Sequence, residues 1–310
     1  MKTSTLIAGV LLFLILIGAG AYFFMKPSSE TAYVAEKPLA VAPTPTPVAP
    51  EKTAPVVPAV KEDTTKTVLG ASVEGRNIVA YHFGTGTKEI LFVGGIHGGY
   101  EWNTALVAYE LMDHLAANPK AVPPGVKVTV IPVMNPDGLN KVVGTTTRFS
   151  AAQVPTGKDA TVPGRFNANK VDLNRNFDCD WQPTGTWQNT PVSGGSKAFS
   201  EPESIAIQKY VTAKKPTAVV VWYSAVGGVF SSNCHNGVLP ETKTLTKIYS
   251  DASKYKAYEE FNFYEITGDM VNWLAKNNIP AISVLLTNHT NTEWAKNKAG
   301  VEAVLAHYAK

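Results

Sequence analysis

The sequence predicts an α/β domain whose mixed, mostly parallel sheet is sandwiched by helices. Two runs, Ala218 to Trp222 and Ala281 to Leu286, are apolar at nearly every position, as expected of strands covered on both faces. Helical stretches alternate with them. The clearest follows Glu101, with Ala105, Ala108, Tyr109, Met112, Leu115 and Ala116 on a 3.6-residue stripe. Strands alternating with helices in this way build a sheet between two helical layers. In such sheets ligands gather at the carboxyl ends of strands. His97 follows one predicted strand end, Tyr223 follows a second, and Leu286 to His289 follow a third.

The elements in order support this. Asn77 to Phe83 and Glu89 to Val93 read as strands separated by the turn Gly84-Thr85-Gly86-Thr87. Phe92 to Thr104 (FVGGIHGGYEWNT) leaves the second strand, breaks into glycines around His97 and resumes as a helix near Glu101. That helix ends before Pro119. Lys127 to Val133 alternates and runs into Asn135-Pro136-Asp137-Gly138, which reads as a turn. Leu139 to Ser200 has little periodicity and reads as a long functional loop. Glu201 to Lys214 reads as a helix with Ser200 as cap and Glu203 at the capping-box position. Glu241 to Ser253, Asp269 to Lys276 and Glu293 to Tyr308 read as further helices.

The N-terminal residues have a different character. Leu6 to Met25 is an uncharged apolar run between Lys2 and Lys26, long enough to span a bilayer as a helix. Ala19-Gly20-Ala21 offers a cleavage site, so a signal segment is the rival reading. Lys37 to Val60 is rich in proline, with Ala, Val and Thr between, the composition of an extended spacer. The expected organisation is therefore an anchor or signal over 1–26, a linker over 27–66 and one domain over 67–310. It implies a domain held at a membrane outside the cytoplasm, or secreted if the segment is cleaved. A formal charge of +3 without a basic run gives no footing for nucleic acid as a partner. The two cysteines, Cys179 and Cys234, have no CxxC spacing, so a structural zinc site is not expected; they are free to pair or to remain buried thiols.

The candidate chemistry starts at His97 and Glu101, an imidazole and a carboxylate of the kinds that ligate zinc. Alone, the pair is weak evidence. Val171-Asp172-Leu173-Asn174-Arg175-Asn176-Phe177-Asp178 is more specific, and it resembles the Asn-Arg motif of the zinc metallocarboxypeptidases, the carboxypeptidase A-like family. Gly70 to Arg76, the His97/Glu101 pair, Asn135 to Gly138, Ser200 to Glu203 and Tyr264 to Trp273 resemble further family segments, in the family's order. The resemblance implies the family's fold over Thr67 to Lys310, one zinc ion, and action on peptide C-termini.

Carried over by residue, the resemblance makes His97 and Glu101 zinc ligands, although the family usually spaces them three apart. Arg165 would stabilise the oxyanion, Asn174 and Arg175 would hold the terminal carboxylate, and Tyr264 would close over it. Val271 stands where side-chain preference is set and suggests a neutral or apolar terminal residue. Two positions depart from the pattern. Tyr223 stands where the third zinc ligand, a histidine, is expected, and Leu285 stands where the general base, a glutamate, is expected. A phenol with a pKa near ~10 is a poor substitute for imidazole, and leucine moves no proton. His235 is a candidate replacement ligand, and Glu293 or His289 a candidate distant base; each is otherwise an ordinary loop or helix-start residue.

Three readings follow. The first is an impaired, carboxypeptidase-like domain that still binds peptide C-termini, cell-wall peptides among them, with zinc weak or lost. The second is an active carboxypeptidase or peptidoglycan-peptide hydrolase with a variant site. The third is a structural envelope domain without ligand. The resemblance also places the loops carrying Cys179 and Cys234 at one mouth, which predicts a disulfide between them.

Overall fold

A computed structural model describes residues 65–310. The expected anchor, and the linker up to residue 64, lie outside the described residues. Among the described residues no helix is long and apolar enough to cross a membrane.

The strands are β1 (Lys66–Ala71), β2 (Asn77–Phe83), β3 (Lys88–Val93), β4 (Val126–Ile131), β5 (Thr184–Trp187), β6 (Thr190–Ser193), β7 (Ala218–Ser224), β8 (Gly228–Ser231), β9 (Lys256–Tyr258) and β10 (Ala281–Leu286). The helices are α1 (Trp102–Ala117), α2 (Pro136–Val143), α3 (Lys158–Thr161), α4 (Pro202–Lys214), α5 (Pro240–Ser253), α6 (Met270–Lys276) and α7 (Trp294–Tyr308). Eight strands form one sheet in the order β1-β2-β4-β3-β7-β10-β8-β9. Its centre, β4-β3-β7-β10, is parallel, while β1, β2 and β8 attach antiparallel neighbours.

Strand alternation sorts the core into two layers. Ile90, Phe92, Val220, Trp222, Ile282 and Val284 face α1, α5 and α7. Leu91, Val93, Val219, Val221, Tyr223 and Leu285 face α4, α6 and the Asn174-Arg175 segment. Complete burial of each aliphatic side chain contributes about 1.5–3 kcal/mol, which is why β7 and β10 read as nearly continuous apolar runs. On the first face Trp222 is the largest fully buried residue. It stacks on Phe92 at 5.5 Å, and its indole N–H donates to Tyr249 Oη at 3.2 Å.

Several local expectations change. Ser200 does not cap α4: Glu201 is the N-cap residue and makes no side-chain cap bond. Glu203 is instead buried, accepting from Asn167 Nδ2 and from Val73 N, so tertiary partners replace the local capping box. Asn135 to Gly138 is not a free turn but the start of α2, where Asn135 Oδ1 accepts from Gly138 N at 2.8 Å. The stretch from Leu139 to Ser200 contains helical turns and the β5–β6 hairpin. β1, β8 and β9 carry too few alternating residues to be distinguished as strands from sequence.

Candidate functional site

The carboxyl ends of β3, β7 and β10 open into a cleft of about 620 Å³. His97, Glu101, Arg165, Asn174, Arg175, Tyr223, Tyr264, Val271 and Leu285 all line it. The sheet accounts for much of this convergence. Leu285 lies directly beside Tyr223 in the parallel β7–β10 register, and both point to the α4/α6 face. Glu101 is the N-cap residue of α1 and His97 lies one turn earlier in the loop. Gly98 permits that loop: its φ is +43°, and a Cβ there would stand 2.7 Å from the Gly164 carbonyl oxygen.

Asp172 ties the charged groups together. Its Oδ2 accepts from Arg165 Nε at 2.9 Å and from Nη2 at 2.7 Å. Its Oδ1 lies 3.1 Å from His97 Nε2 and accepts from Asn174 N at 3.0 Å. Burial by itself raises an acid's pKa, but the Arg165 guanidinium and His97 outweigh it and hold Asp172 far below the usual carboxylate range. For His97, burial and Arg165 push downward, while Glu101 and Asp172 prevail and leave it raised. Arg165 is only 2% exposed and lies over the Trp187 ring at 4.4 Å. Trp187 comes from the β5–β6 hairpin, which the sequence had not revealed as an element.

The second charged group is Arg175, 1% exposed. Its Nη1 donates to Asn174 O at 2.7 Å and its Nη2 to Thr186 O at 2.8 Å, while its buried Nε has no hydrogen-bond partner. Asn174 Nδ2 donates to Asp269 Oδ2 at 2.9 Å. Asp269 caps α6 by accepting from Asn272 N at 2.9 Å, which fixes Val271 at the cleft wall. Gly268 lets the Tyr264 loop approach: with φ +62°, a Cβ there would stand 2.2 Å from the Arg175 carbonyl oxygen. Tyr264 itself is raised by burial.

Tyr223 fills the position expected of a third ligand. Its hydroxyl donates to Asn174 Oδ1 at 3.1 Å, and burial pushes the phenol well above its usual value, so it is a neutral donor. The zinc that the resemblance implies can be tested against this donor set. His97 Nδ1 lies 3.0 Å from Glu101 Oε1 without hydrogen-bond alignment, and Nδ1 and Glu101 Oε2 are both buried without hydrogen-bond partners. Two donors therefore remain. A catalytic zinc takes three protein ligands, and among the described residues His97 and Glu101 have no third His, Cys, Asp or Glu ligand close to both. The residues do not complete a catalytic zinc site.

The suggested replacements are placed as follows. His235 is exposed at the mouth and pairs with Asp180 at 2.5 Å. Glu293 does not line the cleft. Its carboxylate accepts from Thr287 N and from Tyr255 Oη at 2.9 Å. Burial raises Glu293, but its hydrogen bonds, from Lys296 first, outweigh that and hold it at about 2, so it is no base for this site. His289 does line the cleft, with Nδ1 2.8 Å from Ser224 Oγ, and burial lowers its pKa. Cys179 and Cys234 form a disulfide with a Cα–Cα distance of 6.1 Å.

The α/β sheet with an Arg- and Asn-lined cleft at its parallel strand ends agrees with the fold that the resemblance implies. The zinc carboxypeptidase family model matches residues 59–296, and the chain belongs to that family. It is 29% identical over 185 residues to the catalytic chain of human carboxypeptidase N, across 55% of this chain and 37% of that protein. It is 26% identical over 218 residues to gamma-D-glutamyl-L-diamino acid endopeptidase 1 of Lysinibacillus sphaericus, across 64% of this chain and 54% of that protein. Among solved structures, the murein-tripeptide amidase MpaA from Escherichia coli O157 superposes with a TM-score of 0.55 at 18% identity, covering 79% of this chain and 91% of that one.

Proposed function

We propose that this protein binds the free C-terminal end of peptides and is impaired in cleaving them. The observation that carries the reading is Tyr223, a buried neutral phenol that donates to Asn174 Oδ1 at the position of the missing ligand. Beside it, Leu285 supplies no base, and loss of a general base alone costs about 10²- to 10⁴-fold in rate.

The binding half is intact in this reading. Arg165 and Arg175 are buried cations facing one cleft, and a guanidinium suits a carboxylate. Asp172 holds Arg165 in place, Asn174 and Arg175 receive the carboxylate, and Tyr264 covers it. Val271 beside the cleft favours a neutral or apolar terminal residue. The names of the bacterial relatives, a diamino acid endopeptidase and a murein-tripeptide amidase, support cell-wall peptides as the ligand class. Leu6 to Met25 would tether the domain outside the cytoplasm, with the proline-rich stretch as spacer, and the Cys179–Cys234 disulfide suits that compartment.

Calorimetry with a peptide and its C-terminal amide tests the reading. The free acid should bind, and both the amide and Arg175→Ala should lose about tenfold or more, as expected when a charge-assisted contact worth about 1.5–3 kcal/mol is removed. Equal affinity for acid and amide would overturn the binding claim. Steady hydrolysis of the acid by the unchanged chain would overturn the impairment.

A further inference from the structure

β10 is apolar at every position except Ser283. That residue shares its strand face with Leu285 and lies in register beside Val221 on β7 and Phe230 on β8, all of them in the apolar layer under α4 and α6. It is 8% exposed and lines the cleft, and its hydroxyl has no hydrogen-bond partner among the described residues. A buried polar group without a partner is destabilising, so an unused hydroxyl on this wall calls for a partner from outside the chain.

Two amides line the same cleft. Asn272 lies in the first turn of α6, which packs on β10. Its Oδ1 accepts from Asn233 N at 3.1 Å, which orients the side chain and leaves Nδ2 as a donor without a partner among the described residues. Asn233 follows β8 and is tied down by its neighbour Cys234 through the disulfide. Its Oδ1 is buried without a hydrogen-bond partner. The carboxylate beside them, Asp269, is already committed: Oδ1 accepts from Asn272 N and Oδ2 from Asn174 Nδ2, both at 2.9 Å.

We infer that this wall selects a terminal residue whose side chain is a primary carboxamide, of the asparagine or glutamine type. The inference rests on the proposed binding of a peptide C-terminus and narrows the preference set by Val271. A carboxamide has an oxygen that accepts and a nitrogen that donates twice. Its oxygen takes Asn272 Nδ2, and its nitrogen donates to Asn233 Oδ1 and to Ser283 Oγ. Other side chains match this set less well. An aliphatic one leaves all three groups unpaired, and a carboxylate sets an acceptor against Asn233 Oδ1. A hydroxyl has one hydrogen for two acceptors, and an ammonium brings a buried charge to a wall whose carboxylate is taken. A site built to hydrogen-bond a group discriminates strongly against an analogue that lacks it, because its own buried groups are then left unpaired.

Calorimetry on the full-length chain, with peptides alike except for a terminal Gln, Leu, Glu or Lys, tests this. The Gln peptide should bind about tenfold or more tighter than the other three. Ser283→Ala, an apolar change within an apolar layer, should weaken the Gln peptide by about threefold or more and leave the Leu peptide unchanged or tighter. Asn272→Asp keeps the oxygen that accepts from Asn233 N and replaces the donor by an acceptor, so it should move the preference from Gln towards Lys. A Gln peptide bound no tighter than Leu, or a Ser283→Ala change that weakens both alike, overturns the inference. Each peptide is also measured as its C-terminal amide. Preference for the free acid without preference for Gln overturns the side-chain assignment alone. Preference for Gln that persists while acid and amide bind equally overturns the carboxylate reading alone, and no binding of any peptide overturns both.

Discussion

Replacing Asp172 by Asn should be among the most damaging conservative changes in the domain. Asp172 is fully buried and accepts from both Arg165 nitrogens, from the Asn174 amide and from His97. An amide there either turns its NH₂ towards Arg165 or turns it towards Asn174 and His97, opposing donors to donors in both cases. It also leaves the buried Arg165 with Glu101, 3.7 Å away, as its remaining anionic partner. Breaking one partner of a buried ion pair costs about 3–5 kcal/mol. For a domain of this size each kcal/mol lowers Tm by about 2–4 °C, so the expected drop is about 6–20 °C. The exposed pair Arg148–Asp113, at 2.7 Å, is the control, and Arg148→Ala should cost no more than about 1 kcal/mol. Urea and thermal melts at neutral pH measure both. If Asp172→Asn costs less than Arg148→Ala, the cluster is not held as a desolvated unit and the argument fails.

The proposed replacements at Tyr223 and Leu285 can be tested by repair. With the disulfide intact, Tyr223→His should raise bound zinc towards one per chain, Leu285→Glu alone should restore no hydrolysis, and the double change should exceed the sum of its parts, because ligand and base act as a unit. Equal turnover by the unchanged chain and the double variant would refute this. Glu89 gives a pH prediction away from the cleft. Burial raises this acid, but donors from Tyr210, Thr129 and Lys127 outweigh it and leave it below its usual value. A lowered folded pKa contributes stability above the unfolded value of about 4.3 and loses it as pH falls through the folded value. Glu89→Gln should therefore be less stable at neutral pH and lose less on acidification below about pH 4.3. Urea midpoints across pH 3 to 7 with equal slopes in both proteins would count against it.

Much of this protein is decided locally. The nearly continuous apolar runs of β7 and β10 place them in the middle of a covered sheet, because neither face can be left in water. The stripe of α1 and the glycines around His97 mark a strand-to-helix loop for the same local reasons. The Asn174-Arg175 motif and the absence of His at 223 and Glu at 285 are likewise visible in the residues themselves. What the sequence could not give is partnership across long separations. Asp172 is an ordinary acid until folding brings Arg165 and His97 to its two oxygens. Trp187 becomes the stacking partner of Arg165 only because the β5–β6 hairpin forms in a stretch with no periodicity. Glu203 fits a capping box by spacing, yet Asn167 and the Val73 amide claim it, because a buried carboxylate must be satisfied by whichever donors the fold supplies. The sequence shows a tyrosine at 223; that its hydroxyl turns to Asn174 is settled by tertiary packing, which brings the Asn174 Oδ1 acceptor to this buried phenol.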